Sequence, residues 1–260
     1  MGAMVGPGEV EYELGVAIPG VILPQERWAK TALKRLPAQG PLDWQEIFGR
    51  RAPIVLDLGC GNGRFVLASA LARTECDHVG VDILPCVIRY ATRRANQRGL
   101  WNVRFAVCGG GDFLEKYVAE GSVAEIHVYH PQPYENPQKI ALRMVTPRFL
   151  ACVHRSLAPD GLFVIQTDNL PYWRYMAAII PRFFEFHEHQ GPWPDAPAGR
   201  TRREIMARAM GLPIFRAWAR PRKQLDPSSL DALAAELPLP LFDAQPGKRA
   251  TKTRHRRRGR

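Results

Sequence analysis

The chain has 260 residues, 46% of them apolar and 23% charged, with a formal net charge of +11 and a mean hydropathy of −0.23. That length holds one large domain or two small ones, and the composition is that of an ordinary globular protein. The longest apolar stretch, residues 15–24, is interrupted by Pro19 and Gly20 and is too short to cross a bilayer, and no basic residue precedes an apolar run at the start, so neither a membrane span nor a secretory signal is expected.

Residues 1–25 are rich in Gly and Pro and are expected to form an irregular arm, followed by a helix over 27–36 and a short helix over 44–48. From there short apolar runs alternate with amphipathic stretches. Residues 54–58, 79–81, 103–107, 126–129 and 162–167 read as strands, and 64–72, 84–99, 147–157 and 172–183 as helices with apolar residues every three or four positions. Residues 158–161 (Ala-Pro-Asp-Gly) read as a turn before the fifth strand. Such alternation implies a parallel sheet with helices on both faces, whose ligands bind at the carboxyl ends of the strands. Residues 184–187 and 214–219 are expected to add a closing pair of strands. The Pro-rich segment 191–199 between them reads as a lid or connector, and 228–237 as a last helix. The expected organisation is therefore an arm and helix over 1–41, one α/β domain over 42–223, and an extension over 224–260.

The five cysteines lie far apart with no C-x-x-C pair, which argues against a zinc knuckle or a disulfide scaffold and for reduced thiols in a cytoplasmic protein. Residues 247–260 carry eight Lys or Arg and no acid, whereas the other 246 residues hold 28 basic and 25 acidic side chains, a net of +3. A self-repelling, apolar-poor segment of this kind is expected to be disordered, and to attract phosphate backbones without reading their sequence. A merely solubilising end is the alternative.

The first strand runs into Asp57-Leu-Gly-Cys-Gly-Asn-Gly-Arg64. Gly59, Gly61 and Gly63 permit a tight turn with bare backbone facing a ligand. Asp82 ends the next strand nineteen residues after Gly63, where a carboxylate accepts hydrogen bonds from both hydroxyls of a ribose. Nicotinamide sites use G-x-G-x-x-G and present a helix N-terminus to pyrophosphate. This loop is G-x-G-x-G behind an acid, and Asp57 would repel pyrophosphate but can face an ammonium and a sulfonium. The arrangement resembles the S-adenosylmethionine site of class I methyltransferases, which implies a Rossmann-like, mostly parallel seven-stranded sheet with helices on both faces.

Further segments resemble the tRNA (guanine-N7-)-methyltransferases, in family order from about residue 42 to 220. Residues 42–49 (Leu-Asp-Trp-Gln-Glu-Ile-Phe-Gly) precede the glycine loop, and Asn102-Val103-Arg104 is similar to the family's N-L-R. Pro131-Gln132-Pro133-Tyr134 stands where the family has P-D-P-W, followed by Arg143-Met-Val-Thr-Pro-Arg-Phe-Leu150 for R-x-V-x-P-x-F-L. Residues 157–161 are similar to L-K-P-G-G, and Gln166-Thr167-Asp168 to A-T-D. Thr201-Arg-Arg-Glu204, with Gly211 seven residues on, is similar to T-x-x-E…G. Three departures stand out: Gln132 replaces an Asp, Tyr134 replaces a Trp, and the basic cluster after the motif shrinks. Gly109-Gly-Gly-Asp112 occupies the place of an Asp-Ala, so Asp112 is the candidate there.

The resemblance implies methyl transfer from S-adenosylmethionine to guanine N7 of tRNA, at variable-loop position 46. Asp57, Gly59, Gly61, Gly63, Asp82 and Asp112 would hold the cofactor, and Asp168 and Gln132 would serve catalysis. Tyr134, Arg143, Asp168, Thr201 and Glu204 would hold the substrate, with the basic tail on its phosphates. Guanine N7 carries an exposed lone pair and needs no deprotonation, so positioning supplies much of the rate, and a carboxylate near the cationic product ring stabilises it. The base must leave its stack, and Tyr134 offers an aromatic surface for it. Plainer readings stand beside these: T-x-x-E is also a helix capping box, Arg143 a solvated helix residue, Tyr134 and Trp193 buried or lid aromatics, and Cys60 a small residue tolerated in its loop. His187 and His189 lack a third metal ligand. A monomer is expected, with no membrane partner. The alternatives kept are a methyltransferase for another RNA or a small molecule, and a non-catalytic RNA-binding protein on the same fold.

Overall fold

The computed structural model describes residues 6–244. In chain order the elements are strands β1 (Val10–Glu13), β2 (Val16–Val21) and β3 (Ala32–Leu33), helix α1 (Trp44–Phe48), β4 (Ile54–Leu58), α2 (Arg64–Ala72), β5 (Asp77–Asp82), α3 (Pro85–Gln97), β6 (Val103–Val107), α4 (Gly110–Tyr117), β7 (Val123–Tyr129), α5 (Pro147–Ser156), β8 (Leu157–Thr167), α6 (Leu170–Ile179), β9 (Phe184–Glu188), α7 (Arg202–Ala209), β10 (Phe215–Pro221) and α8 (Leu230–Glu236). The main sheet has the order β3-β6-β5-β4-β7-β8-β10-β9. Its strands run parallel from β3 to β8, while β10 is antiparallel to both β8 and β9.

The sheet has eight strands rather than seven because of the two-residue β3. The segment over 27–36 is not the expected helix: a 3-10 turn at Gln25–Arg27 gives way to extended chain. Thr31 explains this. It is fully buried, its amide and hydroxyl both donate to Asn96 Oδ1 (2.9 and 2.8 Å), and its carbonyl accepts from Phe105 N at 2.7 Å. Pairing at the sheet edge satisfies more backbone than a short exposed helix would.

The N-terminal arm is not irregular either. β1 and β2 form a hairpin whose two-residue turn, Leu14-Gly15, has positive φ at both positions (52° and 76°), as the tightest hairpins require. The hairpin turns acids inward. Glu11 pairs with Arg94 (2.7 Å) and Arg98 (3.2 Å), both buried beneath it, and Glu13 Oε1 accepts from Asn62 of the glycine loop at 2.8 Å. α4 lies where the sequence showed only glycines. Its first turn is Gly-Gly-Asp, and Phe113 and Leu114 hold it down, each buried side chain contributing about 2 kcal/mol. The 158–161 turn is absorbed into β8 as a bulge, since the register against β7 jumps between Leu157 and Leu162.

Core packing lies on both faces of the sheet. On one, α5, α6 and α8 cover Leu56, Leu58, Ile126, Phe163 and Ile165; on the other, α2 and α3, with Ile18 of the hairpin, cover Val55, Val103 and Phe105. No helix among the described residues is long and apolar enough to cross a membrane.

Candidate functional site

The carboxyl ends of β4, β5 and β7, with the start of α4, open onto a cleft of about 700 Å3. It is lined by Gly59, Asp82, residues 109–112, Tyr129, His130, Gln132 and Tyr134. A larger groove of about 1070 Å3 runs between α4, α5 and α8, but no strand end lines it.

Asp57 ends up deep beside this cleft, 2% exposed, with its Oδ1 without a hydrogen-bond partner. Burial, reinforced by the charge of Asp82, pushes its carboxyl well above the ordinary aspartate range. A buried acceptor left open in this way awaits a cationic donor. The glycine loop is drawn onto the next strand, because Gly59 N and Cys60 N both donate to Val81 O (2.7 and 2.9 Å). Gly59 and Gly61 have φ of 82° and 53°, and a Cβ on either would project into open space; Gly59 lines the cleft with bare backbone. Gly63 serves packing instead: a Cβ there would lie 2.8 Å from Ala91 Cβ and 3.0 Å from Phe105. It shapes the loop against α3.

Asp82 accepts from Gly61 N through Oδ2 (3.0 Å) and from Leu84 N through Oδ1 (2.9 Å), which fixes its carboxylate and leaves one lone pair on each oxygen. Asp112 is exposed at the mouth, 3.7 Å from Lys116. The open Asp57 oxygen, the bare loop and the held Asp82 together fit the ammonium, backbone and ribose of S-adenosylmethionine.

The substrate side is only partly as expected. Gln132 is exposed in the cleft and Tyr134 lines it with φ of 38°, a left-handed conformation beside a second one at His130 (51°). Asp168 follows β8. Burial would raise its carboxyl, but the His130 hydrogen bond (2.9 Å) and the Arg203 guanidinium hold it down at about 2, so it is an anion at neutral pH.

Two expectations fail. Arg143 does not reach for phosphate: it is 2% exposed, lies 3.8 Å over the Phe242 ring, and donates to the carbonyls of Pro133 (2.6 Å), Tyr134 (3.0 Å), Phe242 (3.0 Å) and Pro240. Its fork is consumed in tying the 131–134 loop to the chain at 240–242. Glu204 is fully buried and accepts from Arg216 Nη2 (2.6 Å) and Arg200 N (2.9 Å), while Thr201 Oγ1 accepts from Glu204 N at 3.1 Å. The T-x-x-E segment is the cap of α7, and Glu204, spent on Arg216 and the Arg200 amide, is closed off from a base.

His130 is the residue that sequence reasoning missed, since nothing before the fold placed it beside Asp168. Trp193 also proves structural. It is buried, stacked on His189 (4.4 Å), and its Nε1 donates to Gln166 Oε1 at 2.7 Å, which seats the 191–199 connector. His187 stacks on Trp218 at 4.1 Å, so the two histidines cap aromatic rings, and among the described residues no group of three or more potential ligands gathers for a metal. Residues 247–260, read as a disordered basic tail, lie outside the described residues.

A family model described as "Putative methyltransferase" matches residues 51–217. Curated relatives include the tRNA (guanine-N(7)-)-methyltransferase of Alkalilimnicola ehrlichii, 28% identical over 75% of this chain and 84% of its own, and that of Rubrobacter xylanophilus, 30% identical over 70% and 82%. Among solved structures, the 16S rRNA methyltransferase KamB superposes with a TM-score of 0.56 at 16% identity, over 74% of this chain and 98% of its own. A 16S rRNA (adenine(1408)-N(1))-methyltransferase from Catenulisporales acidiphilia gives 0.51 at 17%, over 74% and 96%. These two likenesses bear on the fold alone.

Proposed function

The chain belongs to the tRNA (guanine-N7-)-methyltransferase family of class I enzymes, and from that premise we propose that it uses S-adenosylmethionine to methylate N7 of a guanine in tRNA. The observation that carries the cofactor half is the open oxygen of buried Asp57 behind two bare glycines. Asp57 takes the ammonium, Gly59 and Gly61 line the methionine moiety, and the free lone pairs of Asp82 accept the ribose hydroxyls, with Asp112 at the mouth. Bound there, S-adenosylmethionine supplies an activated methyl group on a sulfonium, which an N7 lone pair accepts without a base.

The protein's own work is to orient and to stabilise charge. Tyr134 provides the ring against which the extruded base stacks, and Gln132 presents an amide to its edge. Asp168, held as an anion by His130 and Arg203, stabilises the positive charge that spreads over the guanine ring. Because Gln132 carries no charge, Asp168 supplies the carboxylate. The eight Lys and Arg side chains of residues 247–260 supply charge that attracts the phosphate backbone.

The test is incubation with methyl-labelled S-adenosylmethionine and unmodified bulk tRNA, followed by digestion to nucleosides. Label in 7-methylguanosine is expected. Label in another nucleoside, or tight tRNA binding with no label, contradicts the proposal.

A further inference from the structure

His130 sits at the end of β7 with φ of 51° and a side chain 4% exposed, and both ring nitrogens are engaged. Nδ1 lies 2.9 Å from Asp168 Oδ1, and Nε2 lies 2.8 Å from Gln166 Nε2. The orientation of the Gln166 amide decides which nitrogen carries the proton. Its Oε1 accepts from Trp193 Nε1 (2.7 Å) and from Arg216 Nε (3.0 Å), and turning the amide over would set its N–H groups against both donors. Arg216 cannot yield, because its Nη2 is bonded to fully buried Glu204 at 2.6 Å. The amide therefore points its N–H at His130 Nε2, which must accept, and the imidazole proton must lie on Nδ1, donated to Asp168.

We propose that His130 is a positioning residue for methyl transfer, held by the Glu204–Arg216–Gln166 ladder as the neutral, Nδ1-protonated tautomer so that it aims Asp168 at the base. The inference rests on the methyltransferase reading and adds a condition to it. A second proton on His130 would face the Gln166 N–H across 2.8 Å and add a second cation to the Arg203 guanidinium that Asp168 already holds, taking up the charge meant to stabilise the product ring. The charged and titratable groups that face His130 are Asp168 from the end of β8 and Asp82, Asp112 and Tyr134 across the cleft, with Arg203 and Arg216 one hydrogen bond further out. Trp193 belongs to the 191–199 connector, so seating of that connector and orientation of Asp168 are joined through one amide.

The tautomer is read by nitrogen-15 NMR of the histidine side chains, with His130→Asn assigning the signal. Wild-type protein at neutral pH is expected to show the Nδ1-protonated neutral ring. In Gln166→Glu a carboxylate oxygen faces Nε2 where an amide N–H stood, so the Nδ1-only signature is expected to be lost in favour of a ring protonated at Nε2. In wild-type protein at neutral pH, an Nε2-protonated ring or an imidazolium overturns the proposal.

Single-turnover methylation supplies the second arm. His130→Ala is expected to slow transfer about tenfold or more at saturating S-adenosylmethionine, because Asp168 loses its orientation. His130→Asn tolerates positive φ and offers an amide N–H to Asp168, so it is expected to recover part of that loss. A wild-type rate in His130→Ala, or no recovery in His130→Asn, contradicts the inference. The NMR arm needs no substrate, so an enzyme idle on tRNA would end the functional reading while the tautomer still decides this one.

Discussion

Asp57 shows how a single side chain can be costly to the fold and necessary to the function. Its neighbours offer Oδ1 nothing, and burial holds its carboxyl well above the ordinary range. The folded pKa is raised, so below the unfolded value both states are protonated and no penalty exists; above it the unfolded chain ionises first and stability falls as pH rises. Asp57→Asn is therefore expected to raise the melting temperature of the ligand-free protein at neutral pH, by about 2–4 °C per kcal/mol recovered, with no gain at acid pH. It is also expected to weaken S-adenosylhomocysteine binding. Thermal unfolding at two pH values checks this, and an equal or lower melting temperature at neutral pH would show the carboxyl to be better housed than the fold suggests. Asp57, Asp82, Gly59 and Gly61 are legible in the sequence because strand ends and glycine spacing fix where such residues stand. Arg143, Glu204 and His130 are not, because a charged residue's partners come from other elements: Arg143 meets carbonyls nearly a hundred positions away, and His130 meets Asp168 from the neighbouring strand.

At the scale of the element, periodicity locates the buried parts of the fold well and the polar contacts poorly. β4, β6 and α2 have the very bounds their apolar runs predict, since neighbouring elements enclose them and most of their side chains must be apolar. The β1–β2 hairpin escapes because its inward face is acidic and its outward residues, Val10, Tyr12 and Leu14, are exposed, the reverse of the pattern that marks a strand. Glu11 is the anchor of that hairpin. Removing it strands Arg94 and Arg98 as buried cations with reduced pairing, so Glu11→Ala is expected to cost about 3 kcal/mol. Glu13 of the same hairpin holds the glycine loop through Asn62, so Glu11→Ala should also loosen S-adenosylhomocysteine several-fold. Calorimetric unfolding and a binding titration report the two effects; unchanged stability would mean the hairpin rests on its apolar contacts alone.

For the whole molecule, charge and topology divide the labour: the sheet's carboxyl edge builds the cofactor cleft, and the surplus of positive charge is gathered at one end of the chain. If residues 247–260 meet phosphates, truncation after residue 246 should flatten the dependence of log K for tRNA on log salt by about 0.7–0.9 for each phosphate no longer neutralised, while affinity for the cofactor is unchanged. An unaltered slope would assign RNA binding to the described fold alone. The cofactor cleft itself is tested most directly by titrating S-adenosylhomocysteine into the full chain in buffers of different ionisation enthalpy across a pH series. In the pH range where burial keeps Asp57 protonated it gives up a proton to receive an ammonium, so one-to-one binding that tightens as pH rises and releases protons is predicted there, and Asp57→Asn should abolish the release. No heat of binding, or binding in which wild-type and Asp57→Asn proteins exchange protons alike, would contradict it.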